Sequence, residues 1–567
     1  MAQKKIVIIG GSAAGAKAGA RARRRDPEAK ITILDQDRTI SYAACGIPFY
    51  LSGEVKDIGK LTSTPIGVAR DAAFFKAVKD IEVRIRTRAV RIDRQNKTVE
   101  AKNLDSGEAY SLPYDFLVLA PGAVPLIPPI EGTGLKGVFA CRTLEDASRI
   151  MEAEEHAVKK AAVIIGGGLI SLELSEAFSK KGITVSIVEI QDHLAPLIVD
   201  SEISVLIEDY LREKGVRFHL QERAVRIDGE NAHVRAVITD KREIPADFVV
   251  IATGIRPNTK LAKDAGLELG ELGGVAVNEF METSDPSIYA GGDCVESVDI
   301  ISGRKFIWPK GSLANQHGRV IGDNITGGGT TFPGVVRTAV AKIFEMNLGR
   351  SGLTEAEAKR MGYEIVVALT PAPDKPFYYP TAKPIILKMI ADKKTRRVLG
   401  IQGLGKGEVV KRIDVTATAM MLGASIDQMA DLDLGYAPPY SSALDNVIEA
   451  ANVLRNKIDG IAEGIRPEDL REKVEKQEDF IILDCRTPKE VEKAGLGAKQ
   501  VVAIPLGQVR SRLDELDRDK EVITFCKIGL RSYETARILK GAGFKNVKFV
   551  DGGLDMWAAA KPQPKDS

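Results

Sequence analysis

The stretch Ser41-Tyr42-Ala43-Ala44-Cys45-Gly46-Ile47-Pro48 sets one cysteine among small residues, ahead of a Gly-Ile-Pro run. Cysteine is a nucleophile only as thiolate, which helix N-termini and nearby cations favour. Small neighbours leave the sulfur open to an incoming molecule. Ile47-Pro48 ends one segment and starts another, because the residue before proline avoids helical torsions. A buried, inert thiol is the commoner fate of a free cysteine. The reading of Cys45 therefore rests on what surrounds it.

Two strand–turn–helix–strand patterns surround it. Lys5 to Ile9 reads as an apolar strand, and Gly10-Gly11-Ser12-Ala13-Ala14-Gly15 follows, opening a helix. Such a turn aims backbone N–H groups and a helix N-terminus at a pyrophosphate. Ser12 stands where the usual spacing has its middle glycine. The next strand, Ile31 to Leu34, ends in Asp35, 20 residues after Gly15, where a ribose-binding carboxylate is expected. Lys17, Arg21 and Arg24 share one face of the intervening helix. They are candidates for binding phosphates of an anionic substrate, with Ser41 as a further substrate contact. Tyr114 to Leu119 is another apolar strand, returning into the turn Ala120-Pro121-Gly122. The second pattern is Val163-Ile164-Ile165, then Gly166-Gly167-Gly168-Leu169-Ile170-Ser171, with Glu189 ending the strand Thr184 to Val188. An acid there accepts a ribose 2′-hydroxyl and repels a 2′-phosphate. NADH is thus expected ahead of NADPH.

With a cysteine between two nucleotide patterns, the chain resembles the flavin-dependent pyridine nucleotide-disulfide oxidoreductases over about residues 4–450. The segment Thr283-Ser284-Asp285-Pro286-Ser287-Ile288-Tyr289-Ala290-Gly291-Gly292-Asp293 is similar to that family's third motif. The resemblance implies that Asp293 binds the flavin ribityl chain, with Gly122, Gly254 and Gly292 among the cofactor contacts. It implies an FAD domain over 1–150 and 255–330, an inserted NAD(P)H domain over 151–254, and an α+β dimerisation domain over 331–450. Two-cysteine members carry a partner five residues after the redox cysteine, but Tyr50 stands there. Cys45 therefore resembles the single-cysteine branch: coenzyme A-disulfide reductases, coenzyme A-persulfide reductases, and NADH oxidases and peroxidases. Their cysteine cycles through a mixed disulfide, a persulfide or a sulfenic acid. Relatives have asparagine before the cysteine where this chain has Ala44. In the third domain, Pro376-Phe377-Tyr378-Tyr379-Pro380 and Tyr436-Ala437-Pro438-Pro439-Tyr440 match the tyrosines that reach the partner subunit's cysteine in coenzyme A-disulfide reductases. No histidine lies beyond residue 317 to act instead; a tyrosine hydroxyl can serve as acid or hydrogen-bond donor.

A polar linker is expected over 451–461 and a separate module over 462–567. Phe480 to Leu483 and Glu521 to Phe525 read as strands, ending in Asp484-Cys485-Arg486 and in Cys526-Lys527-Ile528-Gly529-Leu530-Arg531-Ser532. This resembles a single rhodanese domain, although Val491–Gln500 lacks the usual His-Ile-Pro-Gly-Ala run. The resemblance implies that Cys526 to Arg531 wraps N–H groups around the Cys526 sulfur, with Arg531 orienting an anionic donor. Such a nest at a helix N-terminus stabilises thiolate and persulfide. Cys485 reads as structural.

The composition, 44% hydrophobic and 28% charged, is that of a globular protein. A net charge of +2 implies no bulk attraction to nucleic acid or membrane. Five scattered cysteines argue for a reducing cytoplasm. No CxxC or histidine cluster suggests a metal, and no apolar run spans a bilayer. The N-terminus carries no signal-peptide pattern. The joint expectation is an α/β, cytoplasmic homodimer with FAD and NADH. It reduces coenzyme A persulfide, polysulfide or coenzyme A disulfide, and its rhodanese domain handles sulfane sulfur. The alternatives are an NADH oxidase or peroxidase using a Cys45 sulfenic acid, and a persulfide carrier centred on Cys526.

Overall fold

The computed structural model describes residues 3–557. The end of the expected fourth domain, 558–567, lies outside the described residues. The chain forms two compact units, residues 1–192 with 212–335, and 193–211 with 336–567.

The first unit holds two parallel five-stranded sheets. One runs Ile288–Ala290, Phe116–Leu119, Lys5–Ile9, Lys30–Leu34, Glu82–Arg84. Its central strands are aliphatic and buried on both faces, as helix-covered parallel strands must be. Register does the positioning. Ile9 lies opposite both Leu34 and Leu119, and Leu119 opposite Ala290. Gly10, Asp35, Ala120–Gly122 and Gly291–Asp293 therefore meet at one carboxyl edge, where open α/β sheets bind ligands. The second sheet, Arg217–His219, Thr184–Val188, Ala161–Ile165, Phe248–Ile251, Val138–Ala140, repeats the device. Ile165 faces Val188 and Ile251, which brings together Gly166, Glu189 and the turn containing Gly254.

Helix Ala14–Arg25 packs on helix Gly311–Asn324 through glycine and alanine. A Cβ on Gly318 would lie 2.3 Å from the Ala14 carbonyl oxygen. That closeness sets the N-terminus of the later helix beside the first sheet's carboxyl edge.

The second unit contains an antiparallel sheet, Ala339–Ile343, Met346–Gly352, Val398–Gly405, Pro384–Asp392, Ile365–Pro373. Buried cations organise it. Lys388 Nζ lies 2.8 Å from both Asp200 Oδ2 and Glu355 Oε2 and also pairs with Glu202. Those three carboxylates converge as metal ligands would, but around this ammonium. The rhodanese-like part is an all-parallel sheet, Gly464–Ile465, Val547–Val550, Val522–Phe525, Ile481–Asp484, Val501–Ala503. It is joined to the antiparallel sheet by Lys457 Nζ, 2.7 Å from Asp551 Oδ1 and from the Val367 carbonyl. The stretch from 451, expected as a linker, instead continues the helix Asn446–Ile458. Its buried Val447, Ile448, Ala450, Ala451 and Leu454 share one face, beneath an Asp445 cap.

Candidate functional site

The two glycine turns fit dinucleotides. Gly10 has φ +99, and a Cβ there would lie 2.1 Å from the Ala120 oxygen; Gly166 has φ +104 and would meet the Ala252 oxygen at 2.6 Å. Only glycine serves at either place. The helices that follow have no side-chain cap and no acid in their first turn, so their first N–H groups remain for an anion. Helix Leu144–His156, by contrast, closes its start with a Thr143–Asp146 capping box.

The strand-end acids hold the turns. Asp35 accepts from Gly11 N at 2.7 Å and Asp37 N at 2.9 Å. Glu189 accepts from Gly167 N at 2.5 Å and Gln191 N at 2.8 Å. Burial pushes the Asp35 carboxyl up to about 6 against those N–H groups. Ser12 is exposed, whereas Ala14, Gly15 and Ser171 are buried; the Ser171 hydroxyl donates to the Gly166 carbonyl at 2.5 Å. Asp293 lies 3.9 Å from Arg142, and its carboxyl is raised, chiefly by burial. Gly122, Gly254 and Gly292 all have positive φ.

Cys45 sits in the turn Ala44–Gly46, ahead of helix Ile47–Leu51. Ala44 and Cys45 are exposed. The Ser41 N–H, 2.9 Å from the Gly11 carbonyl, ties this segment to the first glycine turn. Ser41 itself lies in the left-handed region at φ +52. The N–H of Gly311, at the start of helix Gly311–Asn324, favours a Cys45 thiolate. Desolvation by the protein packed around the exposed turn, then the charges of Glu173 and Asp293, outweigh it and raise the thiol above its ordinary value. Glu173, from helix Leu169–Lys180, is itself pushed up to about 7 by burial and by Glu176. Near neutral pH Glu173 is partly ionised, and Glu173→Gln removes that partial charge from beside the sulfur. Alkylation of Cys45 by iodoacetamide at neutral pH is then expected to quicken several-fold; an unchanged rate would show that this charge does not control the thiol.

The basic helix face is partly committed. Arg21 Nε is 2.5 Å from Asp323, and Arg24 Nε donates to its own helix at Ala20. Lys17 is half-buried and Arg24 exposed. Arg21 is thus a neutralised member of the expected phosphate-binding face.

Tyr378 is 62% exposed and Tyr436 52%. Buried Arg412 ties their loops together. It donates to the Asp374 carbonyl at 2.8 Å and pairs with Asp445 at 2.9 Å, and Asp445 accepts from Ser441 at 2.7 Å.

Cys526 begins the loop expected to wrap its sulfur. Gly529 N donates to Sγ at 3.1 Å, and Ser532 Oγ lies 3.5 Å away. Cys485 donates its thiol to the Phe525 carbonyl at 3.0 Å, and it leads the groups that lower Cys526 to about 5 despite burial. Arg531 makes a bidentate pair with Glu490, at 2.8 and 2.7 Å, rather than standing unpaired for a donor. Cys526 is expected to stay thiolate down to about pH 5. Its ultraviolet thiolate absorbance, read against Cys526→Ser, measures this. Cys485→Ala removes the leading influence on that thiolate and is expected to move the midpoint upward; a midpoint that stays put rejects that role for Cys485.

Glu173, Arg142, Glu490 and the partnership of Cys485 with Cys526 were not assigned from sequence. Glu173 stands two residues after Ser171, on the helix that the second glycine turn opens.

Residues 4–316 match the pyridine nucleotide-disulphide oxidoreductase family, residues 338–448 its dimerisation domain, and residues 466–560 the rhodanese-like domain. The chain belongs to the pyridine nucleotide-disulphide oxidoreductase family. It is similar to the NAD-dependent persulfide reductase of A. fulgidus, at 46% identity and TM-score 0.92 over 98% of this chain and all of that one. It is similar to the reduced CoADR-RHD of Bacillus anthracis, at 33% identity and TM-score 0.93 over 99% and 98% of the two chains. The NAD(P)H coenzyme A polysulfide/persulfide reductase of Pyrococcus horikoshii is 37% identical over 80% of this chain and 99% of its own length. Among the described residues no helix is long and apolar enough to cross a membrane.

Proposed function

We propose that this chain is an FAD-dependent NAD(P)H oxidoreductase that reduces coenzyme A persulfide or polysulfide, and coenzyme A disulfide, while its rhodanese domain handles sulfane sulfur. It works as a cytoplasmic homodimer. The observation that carries the reading is one chain with two distinct sulfur sites. Cys45 is exposed at the carboxyl edge of a nucleotide-binding sheet, with Tyr50 where a partner cysteine would be. Cys526 is buried in an N–H-lined loop that favours its anion. The persulfide reductase of A. fulgidus matches both parts together.

The Gly10–Gly15 turn and Asp35 hold the adenosine end of FAD, and Asp293 its ribityl chain. The Gly166–Ser171 turn and Glu189 hold NADH. Bound FAD supplies the electron relay from nicotinamide to sulfur. Cys45 attacks the outer sulfur of coenzyme A persulfide, taking it as its own persulfide and releasing the coenzyme A thiolate. Two electrons and a proton then free sulfide and restore Cys45. The balance is coenzyme A persulfide plus NADH plus a proton, giving coenzyme A, hydrogen sulfide and NAD⁺. Lys17 and Arg24 face the substrate phosphates, and Tyr378 and Tyr436 come from the partner subunit to stabilise the leaving thiolate.

Steady-state NADH oxidation tests this, run with coenzyme A persulfide, coenzyme A disulfide, polysulfide, oxygen and peroxide, with sulfide measured alongside. The persulfide or polysulfide is expected to give the highest kcat/KM, with stoichiometric sulfide. Faster turnover on oxygen or peroxide would replace this reading with an oxidase or peroxidase.

Glu189 sets cofactor choice. Its buried carboxylate repels a 2′-phosphate, so kcat/KM is expected to favour NADH, and Glu189→Arg to shift the ratio toward NADPH by at least about tenfold. Equal use of both cofactors by the unaltered protein would assign the preference elsewhere.

A further inference from the structure

Cys485 and Cys526 end neighbouring strands that are in register. Asp484 pairs with Phe525 across the parallel sheet, and each cysteine is the next residue. The ladder runs one step further, because Cys485 N donates to the Phe525 carbonyl at 2.9 Å. Adjacent strands lie about 4.8 Å apart, within the roughly 4.4–6.8 Å between Cα atoms that a disulfide spans. Residues in register point to one face, and each sulfur shifts the other's titration, Cys485 upward and Cys526 downward. Cys485 Sγ is also 3.0 Å from the Phe525 carbonyl oxygen. Both side chains are buried.

We propose that Cys485 is a resolving cysteine for sulfur carried on Cys526. It attacks the inner sulfur of the Cys526 persulfide, expels sulfide and closes a buried Cys485–Cys526 disulfide. The inference rests on reading Cys526 as the sulfur-carrying residue. The step balances without an outside oxidant, because the sulfane sulfur is what is reduced. The Cys485 S–H bond and the persulfide S–S bond break. A new S–S bond forms between the cysteines, and the outer sulfur leaves as HS⁻ with the Cys485 proton. Two equivalents of a small thiol, coenzyme A included, reopen the disulfide and leave as the thiol's own disulfide, a substrate already assigned to Cys45.

The surroundings time the attack. While Cys526 is an anion, its sulfur holds the Cys485 thiol well above its ordinary range, and burial adds to this. Once Cys526 carries sulfur, the negative charge moves to the outer atom and the inner sulfur becomes an electrophile. The rhodanese module thereby unloads itself once when no acceptor arrives, then stays closed until thiol returns.

The test uses the full-length protein with thiosulfate, without NADH or added thiol. Sulfide release is followed, and alkylated peptides are mapped by mass spectrometry under non-reducing conditions. The unaltered protein is expected to release a single equivalent of sulfide and yield one peptide pair joined through Cys485 and Cys526. Cys485→Ala and Cys485→Val are expected to give no burst and to accumulate Cys526 with one added sulfur. Unaltered protein that keeps its Cys526 persulfide with no joined pair overturns the proposal and leaves the carrier reading intact. An equal burst in the Cys485 variants overturns it likewise. Absence of persulfide and disulfide from Cys526 in every protein overturns both.

Discussion

Cys45→Ala is expected to lower NADH-driven release of sulfide from coenzyme A persulfide by at least roughly 10⁴-fold, the scale on which removing a covalent nucleophile acts. The flavin should stay bound and still bleach with NADH. The separation follows from the geometry. Neither nucleotide turn uses the Cys45 side chain: Gly10, Gly11 and Asp35 hold one, and Gly166, Gly167 and Glu189 hold the other. Cys45 is exposed in its turn, so alanine leaves little cavity and folding should be unchanged. Sulfide assay and anaerobic bleaching on the same preparation check the two halves. Retained sulfide release would move the reduction away from Cys45. Loss of bleaching would show that the residue supports the flavin site instead.

The nucleotide-binding parts were legible because their signals are local and periodic. An aliphatic strand, a glycine turn and an acid ending the next strand lie within roughly thirty residues. Parallel register then obliges Gly10 to meet Asp35, and Gly166 to meet Glu189. What surrounds those elements was not legible, because it is joined over long separations. Arg21 reads from sequence as one of three open cations, but Asp323, far along the chain, neutralises it. Arg531 reads as a group for an anionic donor, whereas Glu490 holds it. Cys485 reads as structural because its sequence neighbours are Asp484 and Arg486. Its partner across the sheet, Cys526, follows only from register. Polar residues suggest a linker over 451–461, yet the apolar stripe from Val447 to Leu454 is already a helix pattern.

Each Cys45 site is expected to be shared between two subunits. With Tyr50 in place of a second cysteine, a thiolate from the substrate must leave from Cys45's partner sulfur. That thiolate needs a proton or a hydrogen bond. Tyr378 and Tyr436 are both exposed, and one buried arginine, Arg412, braces the two loops that present them. Exposed tyrosines on braced loops suit contact with another chain. Acid assistance of this kind contributes roughly 10²–10⁴-fold in rate. Tyr378→Phe and Tyr436→Phe are each expected to lower kcat without dissociating the dimer, and the double variant more strongly. The decisive measurement mixes Cys45→Ala chains with Tyr378→Phe/Tyr436→Phe chains, two preparations that are each nearly inactive. In a mixed dimer one site carries all three substitutions, while the other pairs an intact Cys45 with intact tyrosines. Activity is therefore expected to rise toward half that of the unaltered protein in the mixed dimer fraction. Exchange is verified with differently tagged chains. If exchange occurs and activity stays at the level of the separate variants, the tyrosines act within their own subunit or outside the chemistry.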